Sequence, residues 1–195
     1  MICERNKSKL KELFIHKLSN LTAKIIPYIC QCTNLVTLRL SFTLPEIDLD
    51  TSSQICKLSK LENLYLDRQI GGLDDLVVIP IVLACRKISV LNLNVPNTSH
   101  FLSRASLSDK TMESITNFLL NINELDISNH THITDKAIAK FVKKRGMGLI
   151  ALNVVNTLAS QETLQACRQY SHLSKLFTNP PPKPNPDVIR VFLSN

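Results

Sequence analysis

Tryptophan is absent from this 195-residue chain, and glycine occurs only four times. So few glycines leave no Gly-rich phosphate-cradling loop, whose tight turns need that residue. Aromatic residues make up 5% of the chain, few for a base-stacking surface. No long apolar run exists. The longest, Leu76 to Cys85, falls far short of the roughly 20 residues that cross a bilayer, and it contains Pro80. The opening Met1-Ile-Cys-Glu-Arg-Asn-Lys-Ser-Lys lacks the uninterrupted apolar core of an export signal. These absences predict an intracellular chain, cytoplasmic or nuclear, with no membrane segment.

Cysteine is sparse: Cys3, Cys30, Cys32, Cys56, Cys85 and Cys167. A chain of this size with that spacing fits a reducing compartment better than a disulfide framework. Zinc is not expected, because Cys30-x-Cys32 has a single spacer and no second pair follows. Small buried thiols at a recurrent packing position are the expectation instead.

What the chain has is leucine at regular intervals. The centres of the short apolar runs are Leu13, Leu38, Leu64, Leu91, Leu125, Leu152 and Leu176. Their separations are 25, 26, 27, 34, 27 and 24 residues. A second register is independent of the first. Ser108, Thr134 and Ser160 are 26 apart, as are Met112, Ile138 and Leu164, and Ile115, Phe141 and Cys167. The hydroxyls suit helix N-caps, and the apolar residues at cap+4 and cap+7 share one helical face. Strand, capped helix and strand therefore alternate at the period of a leucine-rich repeat. The clearest unit runs from Ile122-Asn-Glu-Leu125-Asp-Ile127 through Ile133-Thr134-Asp135-Lys136-Ala-Ile138 to Leu149-Ile-Ala-Leu152-Asn-Val154.

The fold class this predicts is α/β: a solenoid of about seven repeats, with a parallel concave sheet and outer helices. Stacked uniform layers favour Leu and Ile over bulky rings, which accounts for the aromatic content. Residues 1–178 form the repeat domain. Residues 179–195 are a Pro-rich tail, and its apolar Val188 to Leu193 suit a C-terminal cap. Pro80 argues against an undisturbed helix in Leu73 to Cys85. Asn94 to Ser106 reads as a loop inserted into the one long interval, and such insertions often bind.

The run Ile127-Ser-Asn-His-Thr-His-Ile133-Thr134-Asp135-Lys136-Ala-Ile138 resembles the helix opening of cysteine-containing leucine-rich repeats. F-box/LRR proteins, the substrate receptors of cullin–RING ubiquitin ligases, carry such repeats; the ZYG-type receptors of cullin–elongin ligases are similar. The resemblance covers roughly Leu10 to Leu176. It implies a substrate-recognition subunit of such a ligase, with cullin–RING components as partners. Two departures stand against it. No F-box-like helical segment is expected ahead of Leu10. The Cys or Asn that usually follows each strand is replaced by Thr43, Gln69, Pro96, His130 and Thr157.

Side chains alternate along a strand, so the residue between each pair of inward leucines faces the concave side. That row is Phe14, Arg39, Tyr65, Asn92, Asp126, Asn153 and Phe177. It is the candidate protein-binding surface, since Tyr and Arg are common interface anchors. The same alternation sends Thr37, Ser41, Asp67 and Ser128 to solvent. No catalytic constellation, metal site or cofactor is expected. His130-x-His132 has no evident third ligand, and Cys167 falls in a buried helix column, a poor place for a nucleophile. The net charge of +7 is spread along the chain. The reading is therefore a non-enzymatic interaction scaffold. Its rivals are a free-standing leucine-rich adaptor without a ubiquitin link and a basic RNA-associated protein, nucleic acid being the less expected partner.

Overall fold

The computed structural model describes residues 7–16, 23–41, 47–67, 73–96 and 106–178. Cys3, Thr43, Gln69, positions 97–105 of the inserted loop and the 179–195 tail lie outside the described residues.

Seven strands form one parallel sheet in chain order: β1 (Glu12–His16), β2 (Thr37–Ser41), β3 (Asn63–Tyr65), β4 (Val90–Asn92), β5 (Glu124–Asp126), β6 (Ala151–Asn153) and β7 (Lys175–Phe177). Parallel neighbours need a long crossover, and each carries a helix. The helices are α1 (Ile26–Ile29), α2 (Leu49–Ile55), α3 (Asp75–Ala84), α4 (Asp109–Phe118), α5 (Asp135–Arg145) and α6 (Gln161–Tyr170). Successive helices pack against each other, as successive strands do.

The seven leucines picked out by spacing are cross-strand partners. Leu13 pairs with Leu38, Leu38 with Leu64, and so on through Leu91, Leu125, Leu152 and Leu176. The 34-residue interval leaves this register intact, so the extra residues are absorbed outside the sheet. From Leu38 to Leu176 the column is at most 2% exposed. Burying each such side chain is worth about 1.5–3 kcal/mol.

The strands are shorter than the apolar runs. Leu35, Leu61, Ile88, Ile122, Leu149 and Leu173 are buried, but they lie in the turn ahead of each strand. One carbonyl fixes each turn by accepting two successive amides. Val36 O takes Glu62 N (2.9 Å) and Asn63 N (3.0 Å), and Glu62 O takes Ser89 N (2.8 Å) and Val90 N (3.0 Å). Ser89, Asn123 and Ile150 repeat the arrangement for the next three strands.

Four of the six helix starts follow the capping rule; α1, preceded by Ile25, and α6 do not. Asp48, Asp74, Ser108 and Thr134 accept from backbone amides of α2, α3, α4 and α5. Ser160 makes no side-chain cap bond to α6; its hydroxyl donates to Asp135 instead. Pro80 lies within α3 without ending it. The proline removes the bond to Leu76, whose turn is on the exposed surface, where water can take the freed carbonyl.

Candidate functional site

The candidate row is continuous. Phe14 pairs with Arg39, Arg39 with Tyr65, Tyr65 with Asn92, Asn92 with Asp126, Asp126 with Asn153, and Asn153 with Phe177. Neighbouring strands lie about 4.8 Å apart, so the seven side chains form one line across the face turned away from the buried leucines.

The line has two kinds of segment. On β1 to β3, Phe14 is 59% exposed. Beside it the Arg39 guanidinium stands 5.1 Å from the centre of the Tyr65 ring. It is held in place twice: Nε donates to Ser41 Oγ (2.9 Å) and Nη2 to Asp67 Oδ2 (3.3 Å). Ser41 Oγ in turn donates to Asp67 Oδ1 (2.6 Å). Arg39 is thus a fixed, half-exposed plane between two rings. Such preorganisation lowers the entropy lost when a partner binds. Burial pushes the Tyr65 hydroxyl pKa up, and the Glu124 charge adds to that, while Arg39 opposes it.

On β4 to β6 the row is occupied internally. Asp126 accepts from Ser128 N (3.0 Å), Ser128 Oγ (2.6 Å), Asn153 Nδ2 (3.1 Å) and Asn92 Nδ2 (3.4 Å). Burial nevertheless holds its carboxyl above the usual carboxylate range, against the Ser128 and Asn153 bonds, and the Asp67 charge adds to the rise. Asn92, Asp126 and Asn153 share one local role. Each side-chain oxygen accepts the amide two residues on, at Asn94 (3.0 Å), Ser128 (3.0 Å) and Val155 (3.2 Å). That bond diverts the amide from the sheet and helps end the strand. These three residues are brackets first, and the accessible chemistry concentrates on Phe14, Arg39 and Tyr65.

Four flanking residues expected at solvent are buried: Thr37, Ser41, Asp67 and Ser128. Polar neighbours on adjacent strands cover them. Asn63 donates to Thr37 (3.0 Å), Arg39 and Asp67 enclose Ser41, and Asn94 donates to Ser128.

His130 is not a ligand in waiting. It is fully buried, Leu107 N donates to its Nδ1 (3.1 Å), and its Nε2 donates to Leu93 O (2.8 Å). It ties two backbones together. Burial pushes its pKa down to about 4, with the Leu93 bond opposing. His132 is exposed on the neighbouring loop. Cys30, Cys85 and Cys167 are buried, and burial drives each thiol up to about 12, which suits packing and not nucleophilic attack.

One ladder had only a faint signal in the sequence. The first residue of each middle helix holds the start of the next helix. Asp75 binds Ser108 N (2.9 Å) and Thr111 Oγ1 (2.7 Å), and Asp109 binds Thr134 N (2.8 Å) and Oγ1 (2.8 Å). Asp135 binds Ser160 N (2.8 Å), Thr163 N (2.9 Å) and Glu162 N (3.1 Å). The pairs Ser108-Asp109 and Thr134-Asp135, 26 residues apart, were the trace it left.

No protein-family model matches the sequence, and no curated protein does. Among solved structures, the chain is similar to one in the crystal structure of the Rad7 and Elc1 complex in yeast. The match has a TM-score of 0.60 at 15% identity and covers 86% of this chain and 50% of that one. The chain thus spans about half the length of the solved chain it matches. Identity that low shows a shared fold.

Proposed function

We propose that this chain is a leucine-rich-repeat solenoid of about seven repeats whose concave sheet recognises another protein. We read it further as the substrate-recognition subunit, or a fragment of one, of a cullin–RING ubiquitin ligase. The observation that carries the recognition reading is the Phe14–Arg39–Tyr65 strip. An exposed ring, a fixed guanidinium and a second ring lie side by side on three strands, which is the chemistry of interface hot spots. The ligase reading is supported by the Ile133-Thr134-Asp135 helix opening and by the fold shared with a chain of a two-protein complex. The role is binding, without catalysis, cofactor or metal, in the cytoplasm or nucleus.

Affinity capture of the tagged chain from cells, followed by mass spectrometry, tests both levels. The ligase reading expects cullin–RING adaptor components among the captured proteins. Capture of protein partners without them leaves a free-standing adaptor. If Arg39→Ala and Tyr65→Ala together leave every captured partner unchanged, recognition by this face is wrong.

A further inference from the structure

The turns that lead into β1 to β4 carry a row of cations. Lys9 and Lys11 precede β1, Lys57 and Lys60 precede β3, and Arg86 and Lys87 precede β4; all six are exposed. These turns lie side by side. Lys11 O accepts from Val36 N (2.7 Å) and Thr37 N (3.0 Å), and Val36 and Glu62 carbonyls extend the sequence. Asn34 bridges the gap, donating to Ser8 O (2.8 Å) and accepting from Lys60 Nζ (2.5 Å). Glu12 and Glu62 are the carboxylates in the same stretch. Among the described residues, the three side-chain ion pairs are Arg39–Asp67, Lys140–Glu113 and Lys143–Glu162, so no carboxylate pairs with the row. Within the row, Lys57 donates to Gln54 (2.7 Å) and Arg86 to Leu83 O (3.1 Å), both neutral acceptors. The opposite ends of the helices are acidic, with Asp48, Asp74, Asp75 and Asp109 at their starts. Lys110 and Lys136 stand among those carboxylates, so cations outnumber carboxylates on one rim and carboxylates outnumber cations on the other.

We propose that this row, Lys9, Lys11, Lys57, Lys60, Arg86 and Lys87, is a second interaction surface, and that it binds an acidic extended segment of a partner protein. The row crosses from β1 to β4, about 14 Å at the usual strand spacing. An extended peptide covers that in four or five residues at about 3.4 Å each. Lysines are flexible point charges and adapt to carboxylates along such a segment. A single-stranded nucleic acid would need ring faces for its bases. The Phe118 ring beside the row has its face covered by Arg86, whose guanidinium lies 5.2 Å from its centre. This surface is distinct from the Phe14–Arg39–Tyr65 strip, so either can fail without the other.

Fluorescence anisotropy with a labelled ten-residue oligoglutamate tests it, with a ten-nucleotide RNA as the competing probe. The full chain should bind oligoglutamate more tightly than RNA, and the affinity should fall with salt. Lys60→Glu with Lys87→Glu should weaken peptide binding about tenfold, since two pairs are lost and two repulsions added. Lys110→Glu with Lys136→Glu, exposed and on the opposite rim, makes the same charge change and should weaken it less than twofold. Circular dichroism would show that both pairs fold. Equal losses from the two pairs, preference for RNA, or no binding to oligoglutamate would each overturn the proposal.

Discussion

The Asp135 carboxylate, at the start of α5, receives the backbone amide of Ser160, at the start of α6, at 2.8 Å. The Ser160 hydroxyl donates to the same carboxylate. One unit's helix thereby caps the next unit's helix. Burial raises the Asp135 carboxyl, but the Ser160 and Thr163 bonds together outweigh it and hold the pKa near 2. A depressed folded pKa means stability that is present above the unfolded carboxylate range and is lost as pH falls toward 2. Asp135→Ala should cost about 1–2 kcal/mol in urea unfolding at pH 7, and much less at pH 2.5. An equal cost at both pH values would mean the charge is irrelevant to the cap.

His130 gives the opposite handle on pH. Its folded pKa lies near 4, below the ordinary 6.5, because the buried ring resists charging. Its contribution is therefore complete above pH 6.5 and declines as pH falls from there toward 4. The decline should approach about 1 kcal/mol per pH unit, measured by denaturant midpoints. His130→Asn should abolish that slope between pH 6.5 and 4 while keeping a polar bridge. His130→Ala should cost about 2–4 kcal/mol, since Leu107 N and Leu93 O lose their partner. A slope unchanged in His130→Asn would assign the titration to another group.

Leu125 and Phe14 should separate stability from recognition. Leu125 is 2% exposed within the leucine column, and Phe14 is 59% exposed on the other face of the sheet. Leu125→Ala should cost about 2–5 kcal/mol. Phe14→Ala should change stability by less than about 0.5 kcal/mol while weakening partner capture. Comparable losses of stability from both would show that Phe14 is a packing residue.

Arg39 should not tolerate lysine. Arg39→Lys keeps the charge near Asp67 but loses the two-point hold on Ser41 and Asp67 and the planar stack on Tyr65. Partner capture should fall at least fivefold with a stability change under about 1 kcal/mol. Undiminished capture would leave the strip with charge alone as its contribution.

Much of the fold was legible in the sequence because its cause is periodic. Leucines at a near-constant interval must share an interior, so spacing alone pairs Leu13 through Leu176. Alternation then placed Phe14, Arg39 and Tyr65 in one row. Strand ends were less legible. They depend on Asn92, Asp126 and Asn153 diverting the amides two residues ahead, a choice settled by local geometry. Burial of Ser41 and Asp67 was hidden for a related reason. Polar residues on a sheet read as solvated until cross-strand partners 26 residues away are seen to cover them. His130 likewise read as a departure from the pattern, whereas its two ring nitrogens bridge the Leu107 amide and the Leu93 carbonyl.

The recognition claim is tested most directly by a photo-crosslinking benzophenone side chain placed at Phe14, with Leu76 on α3, 68% exposed, as the helix-side control. Irradiation of the full chain with its captured protein partners should yield a covalent adduct from position 14 and little from position 76. Adducts from position 76 alone would contradict recognition by the sheet face.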